Sequence, residues 1–217
     1  KIDTNFIGVL TPEQHEAVDK LLESSLGILS ATTGFGKTVV AASLIAKRNV
    51  NTLIIVHRKQ LIEQWKERLN VFLDKGILIG QIGGGKNKQT YSIDIATIQS
   101  LNFKGEIKDD VKKYGQIIVD ECHHISAVSF EKVMKKVEAK YVCGLTATPT
   151  RKDGLHPIMS MQLGSIRHKV TAKSYAQVHA FDHILHPRYT NFKSSIQNET
   201  KQIQLLYKEI VQDEARN

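Results

Sequence analysis

Cysteine is scarce: Cys122 and Cys143 are the only two in 217 residues. That excludes a disulfide framework, leaves no Cys-x-x-Cys pair for a zinc site, and suits reduced intracellular thiols. No apolar run approaches the length of a membrane span, so no membrane partner is expected. Lys1-Ile2-Asp3-Thr4-Asn5 leads into no apolar signal-peptide segment, and without an initiator Met the chain reads as a processed or excised piece. Internal repeats and low-complexity segments are absent too. What is present is a length suited to one large domain, or one domain plus part of another, with 41% hydrophobic residues to fill a core. The net charge of +8 favours a polyanionic partner, although surplus lysine also serves solubility.

Apolar runs alternate with amphipathic ones along most of the chain. Strands are expected at Leu26–Ser30, Thr52–Val56, Ile77–Ile79, Ile93–Thr97, Gln116–Val119, Tyr141–Leu145 and Ile166–Val170. Helices are expected at Pro12–Glu23, Lys37–Arg48, Lys59–Leu73, Ser129–Glu138 and Thr200–Gln212. Leu53-Ile54-Ile55-Val56 is apolar at every position, as in a parallel strand covered on both faces. The pattern predicts an α/β doubly wound sheet whose site lies at the carboxyl ends of the strands. It changes after about Lys173, so 1–173 reads as one domain and 174–217 as a connector with the start of another.

Two stretches carry chemistry. Ala31-Thr32-Thr33-Gly34-Phe35-Gly36-Lys37-Thr38 joins an apolar strand to an apolar helix. Glycines let backbone N–H groups approach a triphosphate, and the helix N-terminus favours its charge. Lys37 would reach the β- and γ-phosphates and Thr38 would ligate magnesium. Ala31 replaces the customary opening glycine with another small residue. The second stretch, Asp120-Glu121-Cys122-His123-His124, follows the strand Gln116–Val119. Asp120 is placed to hold the magnesium, and Glu121 to orient and deprotonate the attacking water. A third, Gly144-Leu145-Thr146-Ala147-Thr148-Pro149, offers two hydroxyls to the acidic box, with Pro149 ending the strand.

With these motifs in this order, the chain resembles the N-terminal RecA-like lobe of a superfamily 2 DExH helicase, close to xeroderma-pigmentosum-B-like and phage or bacterial DNA helicases. The resemblance runs from about Leu10 to Val170. It implies a RecA-like fold, ATP and magnesium as cofactors, and a P-loop formed by Thr33, Gly34, Phe35, Gly36, Lys37, Thr38 and Val39. It also implies an adenine contact from Gln14, and catalytic roles for Lys37, Asp120, Glu121 and His124. His124, rather than His123, is expected to couple ATP to a partner lobe, together with Thr146 and Thr148. Arg58, Gly83, Gly84, Thr97, Gln99 and Ser100 fall where the family grips a sugar–phosphate backbone. The partners implied are nucleic acid, preferably DNA, and a second RecA-like lobe of the same protein. The compartment implied is the cytoplasm of a bacterial, archaeal or phage-infected cell.

Each nucleic-acid residue has a plainer reading: Gly83–Gly85 as a β-turn, Ser100 as a helix cap, Arg58 as a solvated helix start. Lys86-Asn87-Lys88 and Lys112-Lys113 read as solvated faces, and His179, His183 and His186 as scattered surface histidines rather than ligands. The family's arginine-rich second-lobe motif is missing, and neither Arg151 nor Arg167 lies in its context. The chain alone is therefore expected to hydrolyse ATP slowly. Two other readings stand beside the helicase: a duplex-translocating subunit of a restriction system, and a non-catalytic nucleic-acid-binding module.

Overall fold

The computed structural model describes residues 1–103, 105–124, 127–148, 156–172, 174–175, 187 and 203–212. Pro149, Thr150, Arg151 and the three histidines at 179, 183 and 186 lie outside the described residues. The chain divides into two compact units, Lys1–His179 and Ala180–Asn217.

Local chemistry sets the first helix, α1 (Pro12–Leu22). Thr11 and Gln14 form a reciprocal capping box: Gln14 N–H donates to Thr11 Oγ1 at 3.3 Å, and Thr11 N–H to Gln14 Oε1 at 3.0 Å. Pro12 supplies the preset φ of the first turn. Strand β1 (Leu26–Ala31) follows, then α2 (Lys37–Arg48), β2 (Thr52–Val56) and α3 (Gln60–Phe72). Beyond them come β3 (Ile79–Gly83), β4 (Lys86–Lys88), β5 (Ile93–Thr97) and a short hairpin, β6 (Asn102–Phe103) with β7 (Glu106–Ile107). The unit continues with β8 (Gln116–Val119), α4 (Ala127–Lys136), β9 (Tyr141–Thr146), α5 (His156–Leu163) and β10 (Ile166–Val170).

Eight strands form one sheet in the order β10-β1-β9-β8-β2-β5-β3-β4, parallel throughout except for β3–β4. Period-two alternation splits the core between its faces. Ile54 and Val56 of β2 pack with Val18, Leu44, Ile62, Trp65 and Leu69 from α1, α2 and α3. Leu53 and Ile55 pack with Phe130, Val133 and Met134 of α4 and with Leu163 of α5. Truncating any of these buried aliphatics to alanine costs about 2–5 kcal/mol, well above the worth of a surface ion pair.

The doubly wound architecture agrees with the expectation; one strand register does not. Of the expected strand Ile77–Ile79 only Ile79 is extended in the sheet, and the strand runs on from it as Ile79–Gly83. Its Ile-Gly-Gln-Ile-Gly sequence carries little strand propensity, and partners supply the stability: Ile79, Gly80, Gln81 and Ile82 pair with Ile93, Asp94, Ile95 and Ala96. A Cβ at Gly80 would collide with buried Asp94. That carboxylate accepts from Thr90 N–H, Tyr91 N–H and Tyr114 O–H. Strand β4, the β6–β7 hairpin and α5 also escape the sequence reading. In the second unit one helix is described, α6 (Ile203–Gln212), inside the expected Thr200–Gln212; residues 200–202 lie outside the described residues.

Candidate active site

Strand register brings the motif-bearing loops to one edge of the sheet. Ser30 pairs with Thr146, Val119 with Gly144, and Ile55 with Val119. The ends of β1, β9 and β8 therefore lie side by side, with Ala31, Thr146 and Asp120 at their tips.

The loop after β1 turns on two glycines in left-handed conformation, Gly34 at φ 87° and Gly36 at φ 89°. A Cβ at Gly34 would meet no atom within 4 Å, so its outer face is open to a ligand. A Cβ at Gly36 would meet Gln14 Nε2 at 2.6 Å. Phe35 anchors the loop, its side chain 1% exposed and edge-on to Tyr175 at 6.1 Å. Only the Phe35 backbone can therefore serve a nucleotide, and its carbonyl already accepts from Gln14 Nε2 at 2.8 Å. The structure thus places Gln14 against the phosphate loop. Thr33 is exposed, while Thr38 and Val39 are half-buried in the first turn of α2.

Lys37 Nζ donates to Ala31 O at 3.1 Å and pairs with Glu121 Oε1 at 3.5 Å. Glu121 has φ 43°, unusual for a residue with a Cβ, and this tight turn after β8 directs its carboxylate back over the sheet edge. Its Oε2 accepts from Ala147 N–H at 3.3 Å and lies 3.3 Å from His123 Nδ1. Asp120 Oδ2 accepts from Trp65 Nε1 at 2.8 Å. Burial is the main cause that raises the Asp120 carboxyl above the ordinary aspartate range; the Glu121 charge adds to it, while the Trp65 bond and Lys37 oppose it.

His123 sits between the two threonines: Nδ1 is 2.8 Å from Thr146 Oγ1 and Nε2 is 3.2 Å from Thr148 Oγ1. The Thr146 hydroxyl also lies 2.8 Å from Thr148 O. The sequence reading favoured His124 over His123; the His124 side chain lies outside what is described, and His123 is the histidine in contact with both threonines.

Magnesium fits these residues. Thr38 and Asp120 line the same cavity, of about 620 Å³, together with Leu61, Gln64, Trp65 and Arg68 of α3. A hydroxyl and a half-buried carboxylate are the oxygen ligands a hard cation takes. Among the described residues no group of three or more His, Cys, Asp or Glu side chains could hold a metal. Cys122 lies in the turn after β8 rather than in a strand, and Cys143 lies in β9; both are buried, and burial pushes the Cys143 thiol up to about 12. Arg167 donates from Nε to Leu26 O at the opposite end of β1, far along the strand from Lys37. No described helix is long and apolar enough to cross a membrane.

The expected nucleic-acid residues lie farther along the same edge. Val56 pairs with Thr97 and Ile82 with Ala96, so Arg58, Thr97 and Gly83 follow the ends of neighbouring strands. Gly83, Gly84 and Gly85 have φ of 116°, 63° and 82° and make the β3–β4 turn. Ser100 is not the helix cap; Thr97 caps that turn, accepting from Ser100 N–H at 3.3 Å. The Ser100 hydroxyl is spent on Ile82 O and Thr97 O, each at 2.7 Å. Gly83 packs directly on Thr97 and Ser100, while Arg58, Gly84 and Gln99 are exposed. Trp65 was missed by sequence reasoning, because a tryptophan on an amphipathic helix reads simply as core.

Comparison with known proteins adds the following. A family model described as "Type III restriction enzyme, res subunit" matches residues 7–151. The chain is 36% identical over 163 residues to the DNA 3'-5' translocase XPB2 of Sulfurisphaera tokodaii, covering 75% of this chain and 36% of that protein. It is 33% identical over 155 residues to the DNA 3'-5' helicase XPB of Kineococcus radiotolerans, covering 67% and 27%. The chain thus spans about a third of the length of these curated relatives. Among solved structures, the UvsW helicase of bacteriophage T4 matches with a TM-score of 0.65 at 22% identity, over 73% of this chain and 59% of that one. The type ISP restriction-modification enzyme LlaBIII bound to DNA matches at 0.60 and 16% identity, over 79% and 16%. At such identities these two show the shared RecA-like fold alone.

Proposed function

The chain belongs to the family of type III restriction enzyme res subunits, and from that premise we propose that it is the ATP-binding lobe of a DNA-dependent helicase or translocase. The observation that carries the reading is the meeting of Lys37, Glu121, Ala147 N–H and His123 at one sheet edge. Thr38 and Asp120 share the adjoining cavity.

Magnesium, when bound by Thr38 and Asp120, would neutralise charge on the phosphate oxygens. Backbone N–H groups of Thr33, Gly34, Gly36, Lys37 and Thr38 would cradle the phosphates at the start of α2, while those of Phe35 and Val39 donate to Thr32 O and Gly36 O. Lys37 is shared in this structure between Ala31 O and Glu121. Phosphate oxygens compete for its ammonium, which frees Glu121 to take a proton from the attacking water. His123 holds Thr146 and Thr148 beside that base, so the state of Glu121 is felt at the end of β9. A second RecA-like lobe would supply an arginine for the charge that develops on the γ-phosphate.

The nucleic acid is DNA, gripped by its backbone along Arg58, Gly83, Gly84, Thr97, Gln99 and Ser100. Both relatives named above are DNA 3'-5' enzymes, which supports this choice. The res-subunit family also supports a second reading, in which the same motor moves along duplex DNA in a restriction system without separating the strands. Two substitutions test the chemistry. Lys37→Ala should abolish binding of a fluorescent ATP analogue. Glu121→Gln should retain binding and lower single-turnover hydrolysis by about 10²–10⁴-fold. Unchanged hydrolysis in Glu121→Gln would remove Glu121 from the base role.

A further inference from the structure

Trp65 is 2% exposed and packs in the core with Ile62 and Leu69 of its own helix. Its one polar atom, Nε1, donates to Asp120 Oδ2 at 2.8 Å. An indole only donates, so it cannot compete for a cation, and it keeps its proton at any physiological pH. Trp65 also lines the cavity that Asp120 and Thr38 share, so the indole holds the carboxylate from the α3 wall of that cavity.

We propose that Trp65 is a positioning residue for the magnesium carboxylate. By holding Oδ2, the indole fixes the rotation of Asp120 and presents the group to the metal in one orientation. The inference rests on the reading of Asp120 as a magnesium carboxylate, and goes beyond it by making α3 part of the metal site. The plainer alternative runs the other way: a buried indole N–H needs an acceptor, and Asp120 provides one. In that case Trp65 matters for stability and leaves metal affinity alone.

Trp65 is the only tryptophan in the chain, so its emission reports on this corner alone. The test uses the 217-residue chain and ADP carrying its own directly excited fluorophore, titrated with magnesium from an EDTA-treated start. In the wild type, magnesium should tighten ADP binding. In a parallel titration with unlabelled ADP, Trp65 emission should change at the same magnesium midpoint. In Trp65→Phe, magnesium-free ADP affinity should stay within about twofold, while the magnesium midpoint rises on the order of tenfold, as when an outer-shell partner is lost. An unchanged midpoint in a folded Trp65→Phe overturns the proposal. Should that variant fail to fold, Trp65→Leu takes its place with the same readout: a raised magnesium midpoint supports the proposal, and an unchanged one overturns it. If magnesium never tightens ADP in the wild type, the metal-carboxylate reading itself fails, whatever Trp65 does.

Discussion

His123 joins two groups with different tasks: its Nδ1 lies near both Glu121 and Thr146, and its Nε2 lies 3.2 Å from Thr148 Oγ1. His123→Ala removes both threonine bonds while leaving Lys37 and Thr38 in place. Nucleotide binding should therefore be preserved. Stimulation of hydrolysis by DNA in the two-lobe protein should fall roughly tenfold, given that each bond is worth about 0.5–1.5 kcal/mol. The check is the ratio of turnover with and without duplex DNA; an unchanged ratio takes His123 out of the coupling. Asp120 makes a prediction of opposite sign. A carboxyl whose folded pKa is raised contributes stability below its unfolded value, near 3.8, and loses it as pH rises through the folded value. Without magnesium, then, the charged Asp120 weakens the fold at neutral pH. Asp120→Asn should raise the melting temperature in EDTA by a few degrees, about 1 kcal/mol corresponding to roughly 2–4 °C at this size. It should also abolish the magnesium-dependent gain of the wild type. A lower melting temperature in EDTA would contradict the burial argument.

Helix α3 ties two regions together through adjacent residues. Trp65 bonds Asp120, and Lys66 bonds Gln81, whose amide donates to Gly83 O at 2.8 Å. The β3–β4 turn is thereby braced, leaving exposed Gly84 at its tip. Gly84→Asp tests whether that tip meets a phosphate backbone, since aspartate tolerates φ near 63° and adds a negative charge. DNA affinity should fall by several-fold, with nucleotide affinity and melting temperature nearly unchanged. Equal DNA affinity would place the turn away from the nucleic acid.

Elements whose apolar runs coincide with their hydrogen-bonded spans, such as Thr52–Val56 and Gln116–Val119, were legible in the sequence. So were the loops at their ends, because glycines and acidic residues punctuate an apolar strand unmistakably. Strand β3 was misplaced because Gly80 and Gln81 are chosen by a neighbour, Asp94, and by the Lys66 brace, neither of which leaves a local signal. The roles of Trp65 and His123 were hidden for the same reason. Their partners lie 55 and 23 residues away in sequence, and only the sheet order brings them into contact.

Across the whole chain, the net charge of +8 suits a polyanionic partner, and both sets of loops share a single sheet edge. The nucleotide loops follow β1, β9 and β8, and the expected DNA-facing residues follow β2, β5 and β3. A second lobe closing over this edge would touch both. The most direct measurement is ATP turnover with and without single-stranded and duplex DNA and RNA. It should be made on this chain and on a protein that carries a second RecA-like lobe after it, each beside its Glu121→Gln form. The account predicts slow turnover by the chain alone, and DNA-stimulated turnover by the two-lobe protein that Glu121→Gln abolishes. Nucleic-acid binding with no hydrolysis by either protein would contradict it and leave a binding module in place of a motor.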